Sequence, residues 1–405
     1  MASIRPQACL HASSPPSDQT KACDIEKQND TSSPDEPSKK QSMFSSLGLL
    51  DRFLAVWIFL AMAIGIILGN FVPSTGPALQ RGKFVGVSVP IAVGLLVMMY
   101  PILCKIRFES LHHVFRAKDI WIQMAFSILL NWIIAPFLML ALAWAFLPDE
   151  PELRQGLIIV GLARCIAMVG LNHSATRPGN EIMLTPSFYQ VLVWTGLAGG
   201  DNEYCAILVA LNSVLQMVLF APMGVFFISV ISGDPVKFEY STAAQSVAVF
   251  LGIPLGAAIV TRFALRRISA KWYDETFLKW LSPWSLIGLL FTILVLFASQ
   301  GRHVVHQIVS VVRVAAPLIV YFLVIFFATL LVAYKLGFGY KLATVQSFTA
   351  ASNNFELAIA VAVAMFGADS NQALAATVGP LIEVPVLLGL VYAVKLIARR
   401  VGWND

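Results

Sequence analysis

Apolar runs long enough to cross a membrane recur along almost the whole chain, separated by short polar connections. A helix needs about 20 mostly apolar residues to cross a hydrocarbon core roughly 30 Å thick. The pattern therefore predicts an all-α polytopic membrane protein with ten transmembrane helices, numbered here as spans one to ten. The spans cover approximately residues 53–72, 84–104, 120–147, 155–200, 202–231, 243–263, 281–299, 314–334, 342–367 and 373–396.

The composition agrees with this pattern, because 58% of the 405 residues are hydrophobic and only 13% are charged. A soluble fold cannot bury so large a share of apolar side chains. The formal net charge is +5, but the Lys and Arg residues stand in short connections rather than in one stripe. We therefore expect no nucleic-acid partner.

Lys and Arg residues alternate in frequency between successive connections, which predicts the orientation of the chain. Cytosolic connections normally carry the excess of these residues. With the N-terminus in the cytosol, most of them fall on the cytosolic side, and both termini are expected there. The opposite side then holds only Arg81, Lys83, Arg154, Lys237, Arg302 and Arg313.

The spans predict a division of the chain into a tail and two repeats. Residues 1–50 are rich in Ser, Pro and charged side chains and predict a disordered cytosolic tail. Ten spans then divide into a first five-helix repeat at 51–231 and a second at 232–405. Two copies of an odd number of helices face opposite ways, which is the inverted-repeat plan of many secondary transporters. Spans five and ten support this plan, although all helices with a polar start resemble one another.

Polar side chains inside the predicted spans mark the candidate functional site. Ionisable groups within a bilayer are costly and usually face a cavity or a partner. They occur in spans four, five, nine and ten, in corresponding parts of the two halves. The residues are Arg164, Cys165, Asn202, Glu203, Asn212, Asn353, Asn354, Glu356 and Glu383.

Span nine contains the segment AASNNFELAIA, whose composition suits a helix that unwinds near the membrane midplane. Asn353 and Asn354 then either contribute to a ligand site or only bond to neighbouring helices. Glu356 is either a carboxyl group that exchanges protons in apolar surroundings or the partner of an ion pair with Arg164. The two roles of Glu356 are compatible in different conformations.

Glu383 and Cys165 each have two interpretations. Glu383 lies between Pro380 and Pro385, so it either anchors a bend in span ten or takes part in transport. Cys165 is either a small buried apolar residue or, beside Arg164, a thiolate that binds thiophilic species.

Several of these segments together resemble a known family. GLARCIAM, LAGGDNEYCAILVALNSVLQ, TAASNNFELAIAVAVAMFG and GPLIEVPVLL are similar to motifs of the arsenical-resistance-three family of arsenite efflux permeases, of the fungal type, within the bile acid/arsenite/riboflavin transporter superfamily. The similarity runs from about residue 48 to the C-terminus. It implies inverted five-helix repeats in which broken spans four and nine cross near the substrate.

The resemblance also implies a function. Members of the family export arsenite, and some export antimonite, in exchange for protons, without a cofactor. Cys165 corresponds to the family's arsenic-binding thiol, and no other metal ligand is expected. Glu356 corresponds to the family's functional carboxylate. Arg164, Asn354 and Glu383 match other motif positions. An efflux carrier protects a cell from the plasma membrane or, alternatively, from the vacuolar membrane.

The sequence departs from the family at Val169–Gln190, a polar stretch of 22 residues within span four. Without it, GLARCIAM runs directly into VLVWTGLAGG as one apolar span. Val169-Gly170 can be encoded with a GT donor, and Gln190 can be encoded by an AG-ending acceptor. We therefore interpret 169–190 as a retained intron. The alternative is a genuine regulatory loop, which would leave backbone groups at two helix ends without partners in the membrane.

Other function classes have less support in the sequence. A sodium-coupled organic-anion carrier of the same superfamily has no evident need for Cys165 and Glu356. An intramembrane enzyme is disfavoured, because the six His residues fall in the tail, the connections or the insert, and H-E-x-x-H is absent. A receptor or scaffold would not need ionisable groups in both repeats.

Overall fold

The computed structural model describes residues 54–72, 74–106, 118–164, 193–233 and 238–403. These residues are almost entirely helical, as the sequence predicts for a polytopic membrane protein. Five helices within these ranges are long and apolar enough to cross a membrane, and shorter apolar helices accompany them. The count of ten spans and the inverted repeat stay predictions.

The helices follow one another with few irregular connections. They are α1 Leu54–Phe71, α2 Thr75–Leu79, α3 Val89–Cys104, α4 Lys118–Leu129, α5 Ala135–Phe146, α6 Pro151–Leu162, α7 Val193–Ala198, α8 Asn202–Gly224, α9 Tyr240–Val247, α10 Ile253–Trp272, α11 Leu278–His306, α12 Ile308–Lys335, α13 Tyr340–Ala351, α14 Phe355–Phe366 and α15 Asn371–Val401. Antiparallel strands β1 Lys83–Phe84 and β2 Val87–Ser88 join α2 to α3. Short π-helical turns continue four helices, at Leu130–Ile134, Val225–Ser232, Ala248–Gly252 and Tyr273–Phe277.

The long helical stretch that begins at Tyr240 is not one straight element. Ser269 has an extended backbone, with φ −156° and ψ 106°, so the helix kinks there. The kink separates predicted span six from predicted span seven.

The helices pack into two neighbouring groups. In the first group, α1 and α3 pack on α11, and α3 also packs on α10. In the second group, α12 packs on α13 and α15, α6 packs on α5 and α15, and α14 packs on α15. The interruptions of predicted spans four and nine both lie in the second group. The helices that end there, α6 and α13, therefore pack against other helices of the group.

Side-chain contacts bring alternate connections to the same end of the helices. At one end, Gln80 Nε2 donates to Asp369 Oδ2 at 2.9 Å and Asn371 Nδ2 donates to Glu152 Oε2 at 2.8 Å. Arg313 donates to Asp149 there and lowers the pKa of that exposed carboxyl. At the other end, Trp403 Nε1 donates to the Phe338 carbonyl at 3.3 Å, close to the basic residues Lys335, Lys341, Arg399 and Arg400.

Helices α1 and α11 approach each other so closely that only glycine fits at their contact. A Cβ atom on Gly65 would lie 2.8 Å from the Leu294 carbonyl oxygen, and one on Gly301 would lie 2.8 Å from the Ile66 carbonyl oxygen. Small residues at such contacts are the usual means of packing helices in membranes.

The substitution Gly65→Ala should therefore lower the free energy of unfolding by about 1–3 kcal/mol, because the backbone of α11 has to move away. Thermal melting of the detergent-solubilised protein measures this effect. Gly256→Ala in α10 is the matched control, since no atom lies within 4 Å of the added methyl group. An equal loss of stability in both variants would contradict the close-packing argument.

Candidate functional site at the crossing of two interrupted helices

Two helices of the second group are interrupted, and their extended segments cross. Helix α6 ends at Leu162, and Ala163 continues in an extended conformation to Arg164. Helix α13 ends at Ala351, and an extended segment leads through Ser352 and Asn353 to the start of α14. Arg164 and Asn353 form an antiparallel bridge, and the Asn354 amide donates to the Ala163 carbonyl at 2.8 Å.

The fully buried guanidinium of Arg164 connects both interruptions. Its Nη1 donates to the Gly161 carbonyl at 3.1 Å and to the Tyr321 hydroxyl at 2.9 Å. Its Nη2 donates to the carbonyls of Ala350 at 2.9 Å and Ser352 at 3.2 Å. Gly161 and Ala350 lie in the last turns of α6 and α13, where carbonyls lack helical partners and a positive charge is favoured.

The extended segment of span nine carries buried polar atoms that have no partner. Asn354 caps α14, because its Oδ1 accepts from the Leu357 amide at 3.1 Å. Both amide atoms of Asn353 and Nδ2 of Asn354 find no hydrogen-bond partner within the described ranges. Such atoms are costly to bury. The crossing therefore presents uncharged donors and acceptors that a small polar ligand can satisfy.

Two carboxyl groups flank this segment. Glu356 stands in the first turn of α14, where a negative charge is favoured by the helix dipole, and it keeps accessible surface although Phe355 and Leu357 beside it are buried. Glu383 is buried in α15, and its Oε1 accepts from the Asn353 amide at 3.3 Å. The crossing thus collects three ionisable side chains.

The structure shows the contacts that two of these residues make, while the transport role of each stays a prediction. The ion pair between Arg164 and Glu356 is not formed between these two described residues, because the guanidinium is bonded to carbonyls and a hydroxyl instead. Glu383 holds the backbone of span nine, and α15 continues through Pro380 and Pro385 as one helix.

The remaining predicted site residues lie away from the crossing or outside the residues that the structure describes. Cys165 and the segment 169–190 fall outside the described residues, as do the side chains of Asn202 and Glu203. Asn212 is buried in α8, where its Oδ1 accepts from Trp132 Nε1 at 3.2 Å, and none of its described bonds reaches Arg164 or Asn353.

Sequence reasoning missed Tyr321 and Ser352 at the crossing. Tyr321 lies in the apolar run of span eight, where nothing in the sequence distinguishes it from a lipid-facing tyrosine. Ser352 precedes the two asparagines directly, and its position beside them is a signal that sequence reasoning can use.

Comparison with known proteins now gives the family. The Sodium Bile acid symporter family matches residues 92–185 and 182–307, which together make up more than half of the chain. The arsenical-resistance protein Acr3 of Corynebacterium glutamicum is 45% identical over 366 residues, covering 89% of this chain and 92% of that protein. The chain belongs to the sodium bile acid symporter family.

Two further relatives extend the comparison. An uncharacterised transporter of Synechocystis is 34% identical over 353 residues, covering 86% of this chain and 89% of that protein. The Acr3 protein of Alkaliphilus metalliredigens is 29% identical over 372 residues, covering 88% of this chain and 94% of that protein. Members of the sodium bile acid symporter family are transporters, so this chain is a multi-pass membrane transporter and not an enzyme.

Proposed function

We propose that this transporter exports arsenite from the cytosol in exchange for protons, with antimonite as a second candidate substrate. The observation that carries the proposal is the crossing itself, where uncharged and unpartnered polar atoms lie beside Arg164 and an accessible carboxyl group. The similarity to two arsenical-resistance proteins supports the choice of substrate.

The chemistry of arsenite fits these polar atoms. Arsenite is a neutral trihydroxide at cytosolic pH, and each hydroxyl can both donate and accept a hydrogen bond. The Asn353 amide offers both a donor and an acceptor, and Nδ2 of Asn354 adds a further donor. A neutral ligand avoids the cost of bringing a charge into the membrane.

Cys165 supplies the contact that distinguishes arsenic from other neutral hydroxides. It follows Arg164 directly in the sequence, and Arg164 lies at the crossing. A thiolate is a soft ligand that suits As(III), and one thiol binds it reversibly where several would trap it. Arg164 favours the thiolate by its charge.

Glu356 is the proposed proton carrier of the exchange. A carboxyl group in apolar surroundings can exchange protons near neutral pH. Glu356 takes a proton on the outer side as arsenite leaves and releases that proton to the cytosol in the next half-cycle. Glu383 serves instead as the fixed acceptor for the span-nine backbone.

The location follows from the direction of transport and from the charge distribution. The end that carries Lys335, Lys341, Arg399 and Arg400 is proposed to face the cytosol, with both chain termini, because short cytosolic connections hold the excess of positive charge. Export from that side protects a cell at the plasma membrane, with the vacuolar membrane as the alternative.

The segment 169–190 is proposed to be absent from the active protein. The two segments matched by the family overlap at residues 182–185, inside this stretch. A polar segment of 22 residues placed five residues after Arg164 separates Cys165 from the second half of span four.

The deciding experiment measures arsenite efflux from a host that lacks its own arsenite pump. Three forms are compared: the full chain, the chain without Val169–Gln190, and the shortened chain with Cys165→Ala. We expect efflux from the shortened chain only, and its loss in the Cys165→Ala variant, because the thiol is the arsenic contact. Cys104→Ala, which removes a buried thiol from the end of α3, is the control and should keep efflux.

Each contrary result has a definite meaning. Efflux from the full chain would show that 169–190 is tolerated structure. Efflux that persists after collapse of the proton gradient would exclude proton exchange. Absence of arsenite efflux from every well-expressed form, together with sodium-dependent uptake of an organic anion, would favour the second function that the family includes.

A further inference from the structure

Two buried amide side chains lie one helical turn apart in α8. Neither takes part in the described hydrogen bonds of Arg164 and Asn353. Asn212 and Gln216 have at most 1% of their surface exposed, and Phe220 continues the same buried stripe. Val214, Met217 and Val218 on the other face of α8 are exposed, as side chains that meet lipid should be. The polar groups of this helix therefore point into the protein.

The orientation of the Asn212 amide is fixed by its partner. The indole nitrogen of Trp132 can only donate, so the atom that it meets at 3.2 Å is the Asn212 oxygen. Nδ2 of Asn212 is left without a partner within the described part of the chain. A donor of hydrogen bonds therefore remains available beside Trp132.

Gln216 has fewer hydrogen-bond partners than Asn212 among the described residues. Its side chain is fully buried, yet neither Nε2 nor Oε1 has a hydrogen-bond partner among the described residues. Asn131, which precedes Trp132 in the π-helical turn Leu130–Ile134, likewise has an unpartnered Oδ1. Turns of this kind inside helices occur frequently at functional sites.

These unpartnered atoms share a chemical character. They are two amide donors, on Asn212 and Gln216, and two amide acceptors, on Gln216 and Asn131, and none carries a charge. A membrane offers no water to hydrogen-bond such groups from the lipid side, so leaving them empty is costly. A fold keeps atoms of this kind where a polar molecule binds them during function.

We infer that Asn212, which accepts from Trp132, and Gln216, one turn further along α8, form a second binding position on the transport path, selective for a small neutral molecule that carries several hydroxyl groups. This inference rests on the proposed function, in which the substrate is such a molecule. Helix α8 packs on α6 and α13, the two helices that end at the crossing. The two amides therefore lie on a helix that packs against both interrupted helices. In this inference the substrate passes between the crossing and the amides of α8.

The test replaces the amides by an apolar side chain of similar volume, in Gln216→Leu and Asn212→Leu. Arsenite efflux is measured as a function of arsenite concentration, in whichever of the full and shortened chains exports it. We expect the half-saturating arsenite concentration to rise about tenfold for Gln216→Leu, which corresponds to the loss of about one hydrogen bond to the ligand. Asn212→Leu should raise it by a similar factor.

A melting measurement on the full chain separates binding from structural support. Because the Gln216 amide has no partner among the residues that the structure describes, Gln216→Leu should leave the melting temperature unchanged or raise it. Ser213→Ala is the matched control on the same helix, since within the described residues the Ser213 hydroxyl donates to the Val209 carbonyl of its own helix, and it should not change the half-saturating concentration.

The outcomes distinguish this inference from the proposed function. Unchanged half-saturation in both leucine variants, or a lower melting temperature for Gln216→Leu, would overturn the second binding position while leaving arsenite export intact. If no wild-type form exports arsenite, the proposed function fails. The melting comparison then still decides whether the Gln216 amide is a structural partner or an empty ligand group.

Discussion

The substitution Arg164→Lys should abolish transport and lower the free energy of unfolding by about 3 kcal/mol, since several hydrogen bonds from a buried charge are lost. The guanidinium of Arg164 donates hydrogen bonds to carbonyls of both interrupted segments and to the Tyr321 hydroxyl. A lysine keeps the charge, but its single ammonium group cannot reproduce the planar fork that reaches both segments. Thermal melting of the purified protein and arsenite efflux measure the two effects.

Two further substitutions test the reason for this effect. Tyr321→Phe removes one of the bonds to Arg164 and should cost about 1 kcal/mol. Arg313→Lys, which changes a partly exposed arginine paired with Asp149, should alter stability much less, because ion pairs near the surface contribute little. If Arg164→Lys were no more damaging than Arg313→Lys, the guanidinium would not be what holds the crossing together.

The substitution Glu356→Gln should remove the dependence of efflux on the proton gradient and reduce efflux to background. Glutamine keeps the shape of the side chain but cannot carry a proton between the two sides. Glu356 is the carboxyl group at the crossing that keeps accessible surface, whereas Glu383 is buried against the Asn353 amide. Efflux assays with an imposed proton gradient, in both directions, measure the coupling.

Glu383→Gln is the matched comparison for this prediction. A glutamine oxygen can still accept from the Asn353 amide, so this variant should keep proton-dependent efflux at a reduced rate. Proton dependence that survives in Glu356→Gln and disappears in Glu383→Gln would assign the proton to the other carboxyl group. Loss of coupling in both would mean that the two carboxyl groups act as one unit.

Hydrogen bonds connect the two interrupted helices where their helical bonding stops. Helices α6 and α13 end in mid-protein, which leaves carbonyls without helical partners. Arg164 and the backbone bond from Asn354 to Ala163 satisfy several of these groups across the crossing. The side chain of Asn353, which has no partner in the described part of the chain, then marks where a ligand can complete the arrangement.

The apolar pattern of the chain predicts the class of the protein and exposes most of the candidate residues. Apolar runs of about 20 residues can only be membrane helices, and a polar residue in such a run is conspicuous because burying it is costly. Arg164, Asn353, Asn354, Glu356 and Glu383 were identifiable on that basis, and the structure brings these five together.

Which of these residues contact one another depends on how the helices pack. Arg164 and Asn353 are 189 positions apart in the sequence, and no local pattern shows that they pair, or that Arg164 binds carbonyls rather than Glu356. The roles of Tyr321 and Gln216 also depend on packing, because an isolated polar side chain in an apolar run looks the same whether it meets a partner, a ligand or nothing. Hydropathy records the cost of burying a polar group, whereas the arrangement of the surrounding helices determines what offsets that cost.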